Sequence, residues 1–143
     1  MLHRTLALAL LFAASIAIAS RAQAQDAAGY PTVPLFSTGQ NIVGETLRYP
    51  TSGPARVTAS IIVLAPGGKT IAHKHGVPLF AYILEGELTV DYGAHGTRTY
   101  RAGEAFMEAM EVAHFGTNSG ATPVHILAVY MGADGAADVI PEK

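Results

Sequence analysis

His73 and His75 stand two residues apart in the stretch Lys69-Thr70-Ile71-Ala72-His73-Lys74-His75. On an extended strand alternate side chains leave on the same face, so both imidazoles can reach one point while Lys74 turns away. Neutral imidazole is the commonest protein ligand for a metal ion, and two on one face can meet one ion. The pair alone is a weak signal, because an exposed His-x-His need do nothing. A third histidine, His114, and a carboxylate at Glu108 lie farther along. Glu108 follows Ala105-Phe106-Met107 and shares a strand face with Phe106, so it is buried if Phe106 points inward. A buried carboxylate requires a cation or a donor beside it. The alternative is that Met107 is the core residue and Glu108 is solvated. No serine-histidine-acid arrangement or phosphate loop is visible, and the chain has no cysteine, which removes thiolate ligands and disulfides.

The elements that must position these groups read as strands. Short runs rich in β-branched and aromatic residues alternate with glycine and proline, and none has the length or period of a helix. The expected strands are 44–49, 56–64, 70–75, 79–84, 87–92, 98–100, 105–108, 113–117 and 124–131. In the second, Val57, Ala59, Ile61 and Val63 share one face while Ile62 and Leu64 lie on the other, as for a strand covered on both sides. Turn residues separate the runs at Pro66-Gly67-Gly68, Glu85-Gly86, Gly93 to Gly96, Ala102-Gly103 and Asn118-Ser119-Gly120. Many short strands at this spacing predict an all-β sandwich, barrel or jelly roll.

The glycines frame the histidines in a recognisable way. Gly67, five residues, His73, one residue and His75 lead on to Gly86; Gly103 leads to His114, and Asn118 follows four residues later. This pattern resembles the two motifs of the cupin superfamily, over Pro66 to Asn118. Leu79 stands where the first motif has glutamate, and Ala109 and Glu111 stand where the second has proline and glycine. The resemblance implies a double-stranded β-helix, a small jelly-roll barrel with the metal inside. It assigns His73, His75 and His114 to the three histidine ligands and Asn118 to a structural role near a turn. It also implies a homodimer formed through edge strands, with the N-terminal arm, Gln25 to Gln40, as a candidate swapped element.

Leu79 removes the fourth ligand. Three neutral imidazoles would leave the double charge of an ion uncompensated, favouring anionic ligands such as an enolate or carboxylate and acidifying bound water. Three histidines suffice for a catalytic ion with open positions. Within the resemblance, the leading expectation is a metal-dependent oxidoreductase, a dioxygenase acting on a small organic substrate through ferrous iron, with manganese, zinc, nickel or copper as alternatives. Glu108 is the one candidate catalytic carboxylate, either replacing the absent ligand or acting beside it. The competing readings are a non-catalytic binder of a small molecule or metal, and a metal-free structural barrel. Glu85 and Glu87 read as solvated turn residues, His95 as a loop residue, His125 as a satisfied or exposed side chain, and Phe80 and Tyr82 as packed outside the chamber.

The rest of the sequence sets the setting. Residues 1–24 have the three parts of a secretory signal peptide: Arg4 near the start, an apolar run from Leu6 to Ala19, and Ala22-Gln23-Ala24. The run falls short of the roughly 18 to 20 residues of a membrane-spanning helix, so cleavage after Ala24, a periplasmic or secreted location and no membrane contact thereafter are expected. Residues 25–40 then form an arm and 41–143 the barrel. Removal of Arg4 and Arg21 leaves seven Lys and Arg against eleven Asp and Glu, a net charge of minus four. With its basic residues scattered singly, the chain does not suit nucleic acid.

Overall fold

Alternation of buried and open side chains builds the sheets of the barrel. A computed structural model describes residues 29–143, so the expected signal segment and the first residues of the arm lie outside the described residues. Pro34 to Lys143 form one compact unit. Its strands are β1 (Ala55–Leu64), β2 (His73–Lys74), β3 (Leu79–Glu85), β4 (Glu87–Asp91), β5 (Thr97–Arg101), β6 (Ala105–Met107), β7 (Phe115–Thr117), β8 (Val124–Ala133) and β9 (Ile140–Pro141). A short helical turn, Gly93–His95, lies inside the β4–β5 hairpin and exposes His95. No helix among the described residues is long and apolar enough to cross a membrane.

Three antiparallel sheets result: β1-β8-β3-β6, β5-β4-β7, and the pair β2-β9. In β3, Leu79, Ala81 and Ile83 are buried while Phe80 and Tyr82 are half-buried; in β8, Val124, Ile126, Ala128 and Tyr130 are buried and their neighbours are not. The β4 residues Leu88 and Val90 close the core from the facing sheet, with Tyr92 just beyond the strand. Period-two burial of this kind fixes register, because a slip of one residue would turn every apolar side chain outward. The fold is an all-β jelly-roll barrel of the expected class.

Gly86 shows why the glycine frames matter. It has φ of 79°, and a Cβ there would lie 2.6 Å from the Pro123 carbonyl oxygen. Only glycine fits so tight a passage from β3 to β4. Just before it the β3–β8 register shifts between Ile83 and Glu85, which leaves Leu84 exposed.

Two expectations need correction. Residues 44–49 do not form a strand; only a lone bridge joins Gln40 and Thr46, because Glu45 is committed to the loop at 110–112. Nor is β1 covered on both sides: it is an edge strand, and Val57, Ile61 and Val63 are 66%, 52% and 55% exposed. Continuous apolar character marks a buried strand only where something covers its second face, and among the described residues nothing covers this one.

Candidate metal centre

Two segments of the barrel place the histidines, His73 and His75 at β2 and His114 opposite them. His73 begins β2, and its backbone exchanges both hydrogen bonds with His114, at 3.0 Å each way. That bridge joins the two glycine-framed halves of the sequence. His75 follows β2, with its N–H donating to the Met110 carbonyl at 3.1 Å. The ring centroids lie 4.6 Å apart for His73 and His114, 4.8 Å for His73 and His75, and 5.2 Å for His75 and His114. One ligand nitrogen from each falls within 4.8 Å of the others.

The ring tautomers follow from the hydrogen bonds. Each Nδ1 faces a carbonyl oxygen: Ile71 at 2.7 Å from His73, Asp138 at 2.8 Å from His75 and Val112 at 2.9 Å from His114. A carbonyl only accepts, so each Nδ1 carries the proton. Burial pushes all three imidazoles below their ordinary range, His75 to about 4. The rings are consequently neutral at pH 7, and every Nε2 holds a lone pair. The Nε2 atoms of His75 and His114 are buried without a hydrogen-bond partner. An unsatisfied buried acceptor costs on the order of 1–3 kcal/mol, and two facing each other are what a cation would satisfy. Metal–nitrogen bonds of about 2.0–2.1 Å suit such a group, so the three residues fit a divalent ion.

Glu108 is buried, 6% exposed, beside this group. Its Oε2 lies 3.8 Å from His114 Nε2, too long for a hydrogen bond. It stands outside the set of three mutually close ligand atoms. Its Oε1 accepts the Ala109 N–H at 2.8 Å, and the Tyr92 hydroxyl, bonded to Tyr100 at 3.1 Å, also favours its charged form. Burial nonetheless pushes the carboxyl up to about 7. Phe106 and Glu108 both face the chamber, as their shared strand face predicts, and Met107 is buried on the other side.

The chamber encloses about 50 Å3 and is lined mainly by apolar groups, among them Leu79, Leu88, Val90, Phe106 and Ile126. Leu79 forms part of its wall. Tyr130 and Thr70 contribute the remaining polar lining; the Thr70 hydroxyl also accepts the Gly116 N–H at 2.9 Å. His73 is half-buried whereas His75 and His114 are 3% exposed, so the site faces solvent on the His73 side.

Supporting contacts hold the loops that carry the ligands. Asn118, fully buried, donates from Nδ2 to the carbonyls of Leu64 and Thr122 and accepts the Gly120 N–H at Oδ1. Glu45 accepts the successive N–H groups of Met110, Glu111 and Val112 at 2.8, 3.1 and 3.1 Å, and the Asn41 amide also donates to it. Burial pushes the Glu45 carboxyl up, but these donors outweigh it and hold it below the ordinary range. Sequence reasoning missed Glu45, Asp138, Tyr92 and Tyr130. Alternation with Leu88 and Val90, or with Ile126 and Ala128, could have placed the two tyrosines inside. No sequence signal marked Glu45 or Asp138. His125 is elsewhere, 3.0 Å from Glu85, and Glu87 pairs with Arg101 at 2.9 Å.

Comparison with known proteins agrees with this architecture. The Cupin domain family model matches residues 60–130. No curated protein matches the sequence. Among solved structures, oxalate decarboxylase of Lactobacillus farciminis in its formate complex is 23% identical over 59% of this chain and 26% of its own, with a TM-score of 0.52. An oxalate oxidase structure is 25% identical over 59% of this chain and 45% of its own, at 0.50. The polyketide cyclase RemF from Streptomyces resistomycificus is 19% identical over 70% of this chain and 69% of its own, at 0.53. The chain thus spans less than half the length of the first two. What these structures share with it is the barrel. With the family model on its central strands and the histidines in both glycine frames, the chain belongs to the cupin superfamily.

Proposed function

We propose that this protein is an exported metal-binding cupin that acts as an oxidoreductase, a dioxygenase in type, on a small organic substrate. The observation that carries the reading is the set of three neutral imidazoles whose Nε2 atoms converge, two of them buried and unpartnered. His73, His75 and His114 would hold a divalent ion, ferrous iron first, with manganese, zinc, nickel or copper as alternatives. Such an ion supplies Lewis acidity and, as iron, one-electron chemistry toward dioxygen. The chain's own residues do the rest. Leu79, Leu88, Val90 and Phe106 keep water from the chamber and give its wall an apolar character. Glu108, pushed up to about 7 and tethered by the Ala109 N–H, can hold or release a proton at its carboxyl near neutral pH. Resemblance of the fold to oxalate oxidase supports oxidative chemistry. A chamber of about 50 Å3, against about 300–1,000 Å3 for sites that take drug-sized ligands, suits a substrate of few heavy atoms.

The same small volume favours a second reading, a non-catalytic binder of metal or of a small ligand. Two measurements on the mature protein decide. Oxygen uptake that requires both ferrous iron and one of a panel of small hydroxy and oxo acids supports the enzyme. Metal retention without uptake supports the binder, and failure of elemental analysis to distinguish the protein from its His75→Ala variant refutes the enzyme and the metal binder alike. Export rests on the signal-like residues 1–24. A homodimer formed through the outer face of β1 accounts for the exposed Val57, Ile61 and Val63.

A further inference from the structure

We infer that the C-terminal segment 134–143 is a strap that positions His75 for its ligand, an inference that rests on the three-histidine reading above. His73 and His114 each give their Nδ1 proton to a carbonyl two residues back in the chain, Ile71 and Val112. His75 has no such local partner. Its Nδ1 donates to Asp138, which lies beyond the end of β8 and outside the matched family domain.

The path of the segment explains how that carbonyl is held. After β8 the chain turns at Asp134-Gly135, with Asp134 N–H donating to the Pro54 carbonyl at 2.9 Å. It then runs back to the ligand strand, where β9 pairs with β2 so that Pro141 faces His73 and Ile140 faces Lys74. Glu142 N–H donates to Ala72 at 3.0 Å, and Lys74 Nζ lies 2.9 Å from Glu142 Oε1. Arg56, on β1, ties the middle: its guanidinium donates to the Ala136 carbonyl at 3.1 Å and to Asp138 Oδ1 at 3.3 Å. The sequence leaves room for this path at Gly76, next to the ligand. A Cβ there would lie 2.5 Å from the Ala137 carbonyl oxygen and 3.5 Å from Ile140 Cδ1. Glycine at position 76 is the condition for the strap to lie flat on β2 and bring the Asp138 carbonyl to His75.

The partner of the distal nitrogen sets the tautomer and aim of a histidine ligand, and loss of such a partner costs about 10- to 100-fold in metal affinity. The test uses the full mature chain carrying Gly76→Ala, which lifts the strap at its contact, or Arg56→Met, which releases it at its anchor; Arg56→Lys serves as the conservative variant. In metal-free protein, long-range proton–nitrogen NMR of the rings should show His75 purely protonated at Nδ1. Either disruptive variant should mix the two His75 tautomers while leaving His114 unchanged. Zinc affinity by chelator competition should fall about 10- to 100-fold, with Arg56→Lys recovering part of the loss. A His75 tautomer and zinc affinity both unchanged in a folded Gly76→Ala protein would overturn the inference. If the wild type holds no zinc at all, the three-histidine reading fails. The tautomer of the metal-free protein still tests the strap in that event, so the two failures can be told apart.

Discussion

Replacing Glu108 by glutamine tests how the chamber treats charge. Burial pushes this carboxyl from its ordinary 4.5 up to about 7, against the pull of the Ala109 N–H and Tyr92. Between those values the folded chain binds more protons than the unfolded one, so stability falls as pH rises through the window and levels off above its upper end. At about 1.4 kcal/mol for each tenfold step, the whole loss comes to about 3 kcal/mol. Glutamine keeps the shape and an oxygen to accept the Ala109 N–H, but has nothing to ionise. Burial also pushes His73, His75 and His114 down, which lowers stability as pH falls below their unfolded range. That contribution is common to both proteins and largely cancels in the comparison, apart from the field of Glu108 on His73. Urea unfolding of metal-free wild type and Glu108→Gln, in the presence of chelator, should show the difference moving by about 3 kcal/mol in favour of the variant between about pH 4.5 and pH 8.5. A difference that does not change with pH would mean that Glu108 is solvated in the folded state, one that moves in favour of the wild type would mean that it is paired, and either would refute the reasoning.

Two further variants probe the wall and the outer face. Leu79→Glu puts a carboxylate into the chamber beside the histidines; metal-free protein should lose several degrees in melting temperature through the buried charge, and added zinc should restore more stability than it does in wild type. Equal zinc responses would show that position 79 does not reach the ion. Ile61→Lys places a charge at the centre of the exposed apolar face of β1; on the proposed homodimer, light scattering coupled to gel filtration should report a dimer for the wild type and a monomer for the variant, and equal masses would refute a contact through this face.

How much was legible depended on whether a residue's partner lay close in sequence. Strands β3, β4 and β8 were readable because their buried and open positions alternate within one run. The three histidines were readable because glycines with obligatory geometry keep a fixed spacing around them, as Gly86 shows. Glu108 was half-readable: its shared face with Phe106 placed it inward, but its separation from the histidine triad depends on distances that no pattern encodes. Strand β9 was invisible, since Ile140 and Pro141 are two exposed residues whose pairing is decided by β2. Residues 44–49 misled in the opposite direction, with strand-like composition around a Glu45 whose carboxylate is taken by the distant amides of 110–112. The outer face of β1 misled because apolar content reports that a surface avoids water without saying what covers it.

The pairing of β1 with β8 carries a consequence for the order of events during folding. Ala55 faces Ala133 and Leu64 faces Val124, so this ladder joins the beginning of the barrel's chain to its end. The His73–His114 bridge also closes across the middle of the sequence. Long loops must close before such contacts stabilise anything, whereas the β4–β5 hairpin is local and can form early. The three imidazoles come together only as the barrel shuts. A spectroscopic signal from cobalt added during refolding would therefore work as a clock for the last topological step, lagging behind the far-ultraviolet signal of the hairpins.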